Sequence, residues 1–285
     1  MMTAPKVLLT AQKIRAKKSL GQHFLADPKI AEKIVSRASI GSKDTVLEIG
    51  AGLGALTLPA ARRAGRVLAV ETDPRLISSL STEMSLAGME NVTVKAQSIL
   101  ALDIQDVARQ AGKKLVVLGN LPYHISTPIL IRLVVARSAV SRAVVMLQKE
   151  VADRLVAPPG TKDRSRLSIL VQYCAAVKAL LDVSPAAFYP KPQVDSRVVE
   201  ILFHEDIPLD VKAEKHLFQI VRAAFGKRRK TLKNALSQGG LGLGPEDAAR
   251  VLRDAGIDSN RRAETLEVTE FMKLSDAVKT VKSTA

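Results

Sequence analysis

The stretch VLEIGAGLG, residues 46–54, joins a mostly apolar run to three glycines at alternate positions. The apolar run is typical of a buried strand, and the glycines permit a tight turn that brings the backbone close to a ligand at the start of a helix. Glu71 follows Gly50 by 21 residues and ends the next apolar run, where a carboxylate can accept both hydroxyls of a ribose. The pattern predicts a nucleotide-type site at the carboxyl end of a strand.

The spacing of these glycines is G-x-G-x-G, whereas the dinucleotide fingerprint is G-x-G-x-x-G. The loop therefore resembles that of S-adenosylmethionine-dependent methyltransferases. A site for NAD and a glycine turn that merely joins strand and helix are the alternatives.

Apolar runs rich in β-branched residues alternate with helical patterns along the first two thirds of the chain. The predicted strands are Thr45–Ile49, Arg66–Val70, Asn91–Lys95, Leu115–Gly119, Ala143–Gln148, Val177–Val183 and Ser196–Phe203. Such alternation is typical of a parallel sheet with helices on both faces. The short link 184–195 holds three prolines and favours an antiparallel final hairpin over a crossover helix. We therefore expect an α/β, Rossmann-like fold of seven strands with the last one reversed.

The composition changes after Phe203, because residues 204–210 are polar and everything beyond them has helical periodicity. We expect an α/β domain over residues 21–205 and a small all-α domain over residues 206–285. Residues 1–20 hold five basic residues and no acid, so we expect a mobile arm that binds nucleic acid. A mitochondrial presequence is the alternative for this segment.

The chain has 285 residues, with 43 Lys and Arg against 28 Asp and Glu, which gives a net charge of +15 and a pI near 10.0. A polyanionic partner is the first expectation. The single cysteine, Cys174, excludes an internal disulfide, and no uncharged apolar stretch is long enough to span a membrane. We expect a soluble, cytoplasmic protein without a metal site, because the four histidines and the one cysteine are scattered.

A second motif, NLPY at residues 120–123, follows the predicted strand Leu115–Gly119. The exocyclic amine of a base is a poor nucleophile, because its lone pair is delocalised into the ring. Acceptors that hold its hydrogens favour a pyramidal nitrogen aimed at a methyl group, and the side-chain carbonyl of Asn120 and the backbone carbonyl of Leu121 can supply them. Pro122 would stiffen this loop and Tyr123 would stack on the base.

Several motifs together resemble one family. NLPY resembles the fourth motif of N6-adenine methyltransferases. With it, the sequences QHFL (22–25), VLEIGAGLGALT (46–57), FYPKPQVDS (188–196) and VRAAFGKRRKTLKNAL (221–236) are similar in order and spacing to the KsgA family. These enzymes are the small-subunit ribosomal RNA adenine N6,N6-dimethyltransferases. The resemblance covers about Ser19 to Leu236.

The resemblance implies a Rossmann-like methyltransferase domain that dimethylates two adjacent adenosines near the 3′ end of small-subunit (16S) rRNA. S-adenosylmethionine would be the cofactor and S-adenosylhomocysteine the product. Phe188 would face Tyr123 across a flipped adenine. The residues implied to hold the cofactor are His23, Leu25, Gly50, Gly52, Glu71, Ser98 and Asn120.

Ser98 departs from the family pattern, which usually has an acidic residue at this position to accept the adenine amino group of the cofactor. A hydroxyl can accept the same hydrogen bond without charge, directly or through water. We expect weaker cofactor affinity with activity retained.

A run of basic residues begins the predicted helical domain. The segment 212–233 has eight basic residues and one acid, so phosphate contacts are favoured over a merely solvated helix face. The predicted RNA-binding residues are Arg222, Lys227, Arg228, Arg229, Lys230 and Lys233.

Two functional alternatives stay open at this stage. An Erm-type enzyme acts on large-subunit rRNA with the same fold, cofactor and chemistry, although the basic 225–236 segment favours the small subunit. A ribosome-assembly factor with weak or lost catalysis is the other alternative. We expect a monomer, because the protein docks one site on a large RNA.

Overall fold

The structure is a computed structural model that describes residues 3–17, 21–206, 210–227 and 229–283. The strands are β1 (Phe24–Leu25), β2 (Thr45–Ile49), β3 (Arg66–Glu71), β4 (Val92–Ala96), β5 (Leu115–Asn120), β6 (Val140–Gln148), β7 (Ala175–Val183), β8 (Phe188–Tyr189) and β9 (Ser196–Phe203). The helices are α1 (Pro5–Ala11), α2 (Pro28–Arg37), α3 (Thr57–Ala61), α4 (Pro74–Leu86), α5 (Ile104–Ala111), α6 (Ser126–Val135), α7 (Lys149–Val156), α8 (Arg166–Cys174), α9 (Val211–Ala224), α10 (Leu232–Ser237), α11 (Pro245–Asp254) and α12 (Val268–Ser283).

Seven strands form one sheet in the order β4-β3-β2-β5-β6-β9-β7, and β1 pairs with β8 in a separate two-stranded sheet. The first five strands of this order are parallel, while β9 runs antiparallel to both β6 and β7. The prediction of a seven-stranded α/β sheet with a reversed last strand is confirmed. Every residue of β2 is buried, as the continuous apolar runs of parallel strands require.

The chain reverses its direction across the sheet between β2 and β5, which lie side by side. It builds β3 and β4 on one side of β2 and then returns to build β5 and β6 on the other side. The loops after β2 and β5 therefore separate at the carboxyl edge of the sheet and leave a crevice, which is where open α/β sheets bind ligands.

Aspartates start the helices that follow β3 and β4. Asp73 precedes α4 and accepts the backbone N–H of Arg75, and Asp103 does the same for α5 through the N–H of Asp106. Pro74 occupies the first turn of α4, where a missing N–H costs nothing. These local signals fix where each helix begins at the edge of the sheet.

The chain divides into two compact units. The first consists of Met1–Ala152 and Ala175–Phe203, and the second of Asp153–Cys174 and His204–Ala285. The sequence-based boundary at residues 205 and 206 differs from this division, because it leaves residues 153–174 in the α/β domain.

Arg164 accounts for the place of residues 153–174 in the second unit. Its side chain is fully buried, and its Nε donates to the carbonyl of Leu266 at 3.1 Å. Its Nη1 donates to the carbonyl of Ala157 and to Oε1 of Gln172. A buried guanidinium needs such partners, so this residue ties the early segment to the end of the chain.

The N-terminal arm also differs from expectation. Residues 5–11 form α1, and Leu8, Leu9 and Ile14 are buried in one cluster with Phe24, Leu53 and Leu76. The expectation of a mobile arm is wrong for the described residues 3–17, because the count of charges overlooked the apolar pair in α1. The rest of the arm, residues 1–2 and 18–20, lies outside the described residues.

Candidate active site

A pocket lies at the carboxyl edge of the sheet, where the loops after β2, β3, β4 and β5 meet the segment around β1. It includes both the glycine loop and NLPY, as predicted from their positions after neighbouring strands. The predicted site residues on its wall are His23, Leu25, Gly50, Gly52, Glu71, Ser98, Asn120, Leu121, Pro122 and Tyr123.

The glycine loop after β2 uses backbone conformations that side chains rarely adopt. Gly50 has φ +71° and Gly52 has φ +56°. A Cβ on Gly52 would also lie 3.3 Å from Cδ1 of Phe24, so a larger residue would have to displace that ring. The loop thus keeps its backbone at the pocket wall, while the N–H groups of Gly50 and Gly52 donate to the carbonyl of Val70 and to Glu71.

Glu71 at the end of β3 is buried and holds the loop in place. Its Oε2 accepts the N–H of Gly52 at 2.9 Å, and its Oε1 accepts the N–H groups of Thr72 and Asp73 at 2.7 and 3.0 Å. Each carboxylate oxygen can accept two hydrogen bonds, so Oε2 keeps capacity for a ligand hydroxyl. Glu71 therefore holds the glycine loop in place and keeps one lone pair for a ligand.

Asp73 extends this polar corner of the first unit. Its carboxylate accepts Nε and Nη2 of Arg75 at 3.0 and 2.6 Å and Nε2 of Gln22 at 3.2 Å. The hydrogen bonds from Arg75 hold the pKa of this carboxyl well below its usual value. Since Gln22 begins the QHFL segment, Asp73 fixes that segment against the start of α4.

Glu48 is a pocket residue that the sequence reasoning did not assign. It lies on β2 with 1% exposure, and its Oε2 has no hydrogen-bond partner within the described part of the chain. Burial raises the pKa of its carboxyl from 4.5 to about 8; the hydroxyl of Thr57 opposes this rise and the charge of Glu71 adds to it. A lone acid between Leu47 and Ile49 was the signal that could have identified it.

Asn120 ends β5 and is oriented by one hydrogen bond. Its Nδ2 donates to the backbone carbonyl of His23 at 3.0 Å. The amide oxygen Oδ1 has no partner among the residues that the structure describes, and the residue lines the pocket. The next residue, Leu121, is anchored through its N–H to the carbonyl of Met146 at 3.0 Å. The two carbonyls proposed to hold an amine therefore sit on a fixed backbone.

Tyr123 is half-buried in the pocket wall. Its hydroxyl lies 2.8 Å from Oγ of Ser196, and burial raises its pKa. Its ring stacks with that of His23, with centroids 5.8 Å apart and an angle of 27° between the planes. His23 is held in turn by Nδ1, which lies 2.8 Å from the carbonyl oxygen of Pro190.

Phe188 is not brought to this pocket. Its side chain is 4% exposed and lies in the apolar cluster that includes Leu25, and it is absent from the described residues that line the pocket wall. The reason is the pairing of β8 with β1, which sets Phe188 opposite Leu25. The ring that faces Tyr123 in this structure is His23.

Ser98 lies at the pocket edge after β4, next to Ile99. Its Oγ accepts the N–H of Leu100 at 3.2 Å. The hydroxyl is therefore fixed in orientation and retains a lone pair for a donor on a ligand.

The second unit carries the predicted RNA-binding residues. Arg222 lies near the end of α9, Lys227, Arg229 and Lys230 lie in the connection to α10, and Lys233 lies in α10. We call these five the basic cluster. All but Lys233 are exposed, and none forms an ion pair within the described part of the chain. Arg228 lies outside the described residues.

Two kinds of feature are absent from the described residues. No group of three or more His, Cys, Asp or Glu side chains has the arrangement of a metal site. None of the described helices has the length and apolar character that crossing a lipid bilayer requires.

The sequence model of the family described as ribosomal RNA adenine dimethylase matches residues 13–280. Ribosomal RNA small subunit methyltransferase A of Desulforapulum autotrophicum is 48% identical over 277 residues, which make up 97% of each chain. The protein of that name from Pelotomaculum thermopropionicum is 46% identical over 272 residues, 93% of this chain and 92% of the relative.

Solved structures agree with these sequence relatives. A dimethyladenosine transferase from Plasmodium falciparum superposes with a TM-score of 0.77 at 28% identity, over 88% of this chain and 95% of that chain. The 23S rRNA methyltransferase ErmE superposes with a TM-score of 0.69 at 23% identity, over 90% and 99%, which is a likeness of fold alone. This chain belongs to the ribosomal RNA adenine dimethylase family.

Proposed function

We propose that this protein transfers methyl groups from S-adenosylmethionine to N6 of two adjacent adenosines near the 3′ end of small-subunit rRNA, two methyls to each. The observation that carries the proposal is the orientation of Asn120. Its amide nitrogen is committed to the carbonyl of His23, so its oxygen is the atom available to accept a hydrogen from an amine in the pocket.

The pocket fits the cofactor on observations of the structure itself. Glu48 presents a buried, unpartnered carboxyl oxygen at the pocket, which a hydrogen-bond donor on a ligand would satisfy. Glu71 would accept ribose hydroxyls, and Gly50 and Gly52 line the part of the pocket where the amino-acid part would lie. Ser98 would accept the adenine amino group. When bound, the cofactor supplies a methyl group activated by a sulfonium centre.

The chain's own groups then act on the target amine. Asn120 Oδ1 and the carbonyl of Leu121 accept its hydrogens and favour a pyramidal nitrogen whose lone pair points at the methyl. The lone pair held in this way would be placed to take the methyl as its bond to sulfur broke, and the alkylated nitrogen would lose its proton to solvent. No strong base is needed, because an alkylated aromatic amine is acidic.

Tyr123 and His23 would hold the extruded adenine. Their rings stack with one another in this structure. A flipped base can stack on Tyr123 once the ring of His23 moves away from it. Phosphate contacts from the basic cluster would position the RNA without reading its sequence. Selectivity then rests on the shape of the RNA and on the pocket.

The small subunit is favoured over the large one because the relatives at 48% and 46% identity are both named small-subunit enzymes. The likeness to ErmE is one of fold, at 23% identity. We also propose that the protein acts as a monomer in the cytoplasm. Light scattering after size-exclusion chromatography tests the oligomeric state.

The deciding experiment incubates the purified protein with methyl-labelled S-adenosylmethionine and unmethylated small subunits, with large-subunit RNA in parallel. Label recovered as dimethyladenosine in the small-subunit 3′ hairpin is the expected result. Label in large-subunit RNA would instead indicate an Erm-type enzyme. Tight binding without label would indicate an assembly factor that has lost catalysis.

A further inference from the structure

A groove on the first unit lies between the N-terminal arm and the end of β8. Leu9 and Ile14 form its apolar part, Lys13 and Arg15 its basic part, and Tyr189 and Pro190 its opposite side. We call it the arm groove. No acidic side chain is among the described residues that line it. It is separate from the active-site pocket and has no assigned role.

The fold of the arm fixes the backbone of Lys13 and Arg15, two of its basic residues. Leu8 and Leu9 are buried, and the chain after α1 turns back through a hydrogen bond from the N–H of Ile14 to the carbonyl of Leu9 at 2.9 Å. Lys13 makes this turn with φ +52°. Because Ile14 is buried in the same cluster, Lys13 and Arg15 on either side of it stay exposed.

Tyr189 supplies an exposed aromatic ring. It pairs with Phe24 across the two-stranded sheet, while its neighbour Phe188 pairs with Leu25. Successive side chains of a strand point to opposite faces, so Phe188 is buried and Tyr189 is 38% exposed. Large exposed aromatic rings are rare in this chain, which has three tyrosines and no tryptophan.

A short series of contacts joins the groove to the target-base site. The carbonyl oxygen of Pro190, in the groove, lies at hydrogen-bond distance, 2.8 Å, from Nδ1 of His23, and the ring of His23 stacks on Tyr123. His23 on the pocket side and Pro190 on the groove side therefore meet between the two cavities. A chain that places one base on Tyr123 can continue past these two residues into the groove.

We propose that the arm groove binds single-stranded RNA next to the target adenosine, with a base stacked on Tyr189 and phosphates against Lys13 and Arg15. This inference rests on the proposed function. Neither cation forms an ion pair within the described residues, so both can neutralise phosphate. Cations beside an exposed aromatic face are the combination that binds single strands without regard to sequence.

The first test uses the absence of tryptophan from the chain. Tyr189→Trp places a single tryptophan in the groove, and Leu86→Trp places one on an exposed position of α4 as the matched control. A labelled single-stranded RNA with two adjacent adenosines is titrated into each variant, and its binding is followed by anisotropy. We expect the RNA to quench tryptophan fluorescence in the Tyr189→Trp variant and not in the control. Binding without quenching, or no binding, overturns the proposal.

The second test separates this inference from the proposed function. Two variants are assayed beside the wild type for methyl transfer to unmethylated small subunits. One is the double variant Lys13→Gln and Arg15→Gln, and the other is Tyr189→Ala. We expect the KM for RNA to rise about tenfold for Tyr189→Ala, with the KM for S-adenosylmethionine unchanged. If both variants are as active as the wild type and keep its KM for RNA, the proposal for the arm groove is overturned and the proposed function stands. If the wild type itself is inactive, the proposed function is overturned.

Discussion

In the active-site pocket of the first unit, polar side chains such as Glu71 and Asn120 are buried or half-buried and held by backbone groups. In the basic cluster of the second unit, all of them but Lys233 are exposed and none forms an ion pair within the described residues. Glu71 accepts three backbone N–H groups and Asn120 donates to one backbone carbonyl, whereas Lys227 and Arg229 offer charge alone.

The difference teaches how each region would respond to change. A pocket group works through its position, so the loss of one atom removes a specific interaction and leaves its buried partners unsatisfied. A surface cation works through a screened field that several residues share. Single substitutions should therefore be severe in the pocket and mild, additive and dependent on salt in the basic cluster.

The largest effect is expected for Asn120→Ala. The variant loses the acceptor for the amine, so the rate of methyl transfer should fall by about two to three orders of magnitude. Its affinity for small subunits should stay at the wild-type value, as measured by filter binding. Asn260→Ala, at an exposed asparagine, is the matched control. Normal turnover of Asn120→Ala would remove the residue from the catalytic set.

The basic cluster should respond through salt. Replacing Lys227, Arg229 and Lys230 by Gln should lower the slope of log affinity against log salt by about 0.7 to 0.9 per charge. Transfer at saturating RNA should be retained, because these residues do not line the pocket. Replacing three exposed lysines of the first unit, Lys29, Lys43 and Lys114, is the control for total charge. An equal slope in both triple variants would argue against a specific contact.

A smaller effect, on stability, is expected from Glu48. Its pKa is raised from 4.5 to about 8, so in that range the folded protein carries a proton that the unfolded chain has lost. The free energy of unfolding of the ligand-free protein should therefore fall as pH rises across this range. Glu48→Gln should flatten the dependence in thermal denaturation, and Glu90→Gln, at an exposed residue, should keep it. Parallel curves for wild type and Glu48→Gln would contradict the raised pKa.

The smallest effect is expected for Ser98→Asp. An ionised acceptor makes a stronger hydrogen bond than a hydroxyl, so the dissociation constant for S-adenosylmethionine should fall severalfold, about the difference between a neutral and a charged pair. Calorimetric titration measures this constant, with Ser98→Asn as a neutral variant of similar size. A dissociation constant unchanged in Ser98→Asp would show that the serine does not limit affinity.

The seven strands of the main sheet and the two loops of the pocket could be predicted from sequence because their signals are local, whereas the short β1 and β8 were not predicted. The glycines of residues 50–54, the acid at the end of the next strand and NLPY each follow a buried run, and parallel strands bring such loops to one edge. The positions of these motifs after successive strands therefore indicated that they meet at one pocket, and their residue types indicated its chemistry.

Other features could not be predicted because they depend on packing between distant segments. Phe188 lies in the motif that suggested an aromatic partner for Tyr123, yet the pairing of β8 with β1 turns it into the core. The unpartnered oxygen of Glu48 depends on what surrounds β2 in space. The burial of Leu8 and Leu9 depends on Leu53 and Leu76, far along the chain.

The division of the chain at residues 153–174 and 204 has a consequence for how the protein can be cut or recombined. The chain enters the second unit, returns to complete β7 and β9, and enters it again. A truncation after Phe203 would remove Leu266 and leave Arg164 without one of its buried acceptors. The second unit therefore cannot be exchanged between relatives as one continuous segment. An exchange requires that both of its stretches of sequence be replaced together.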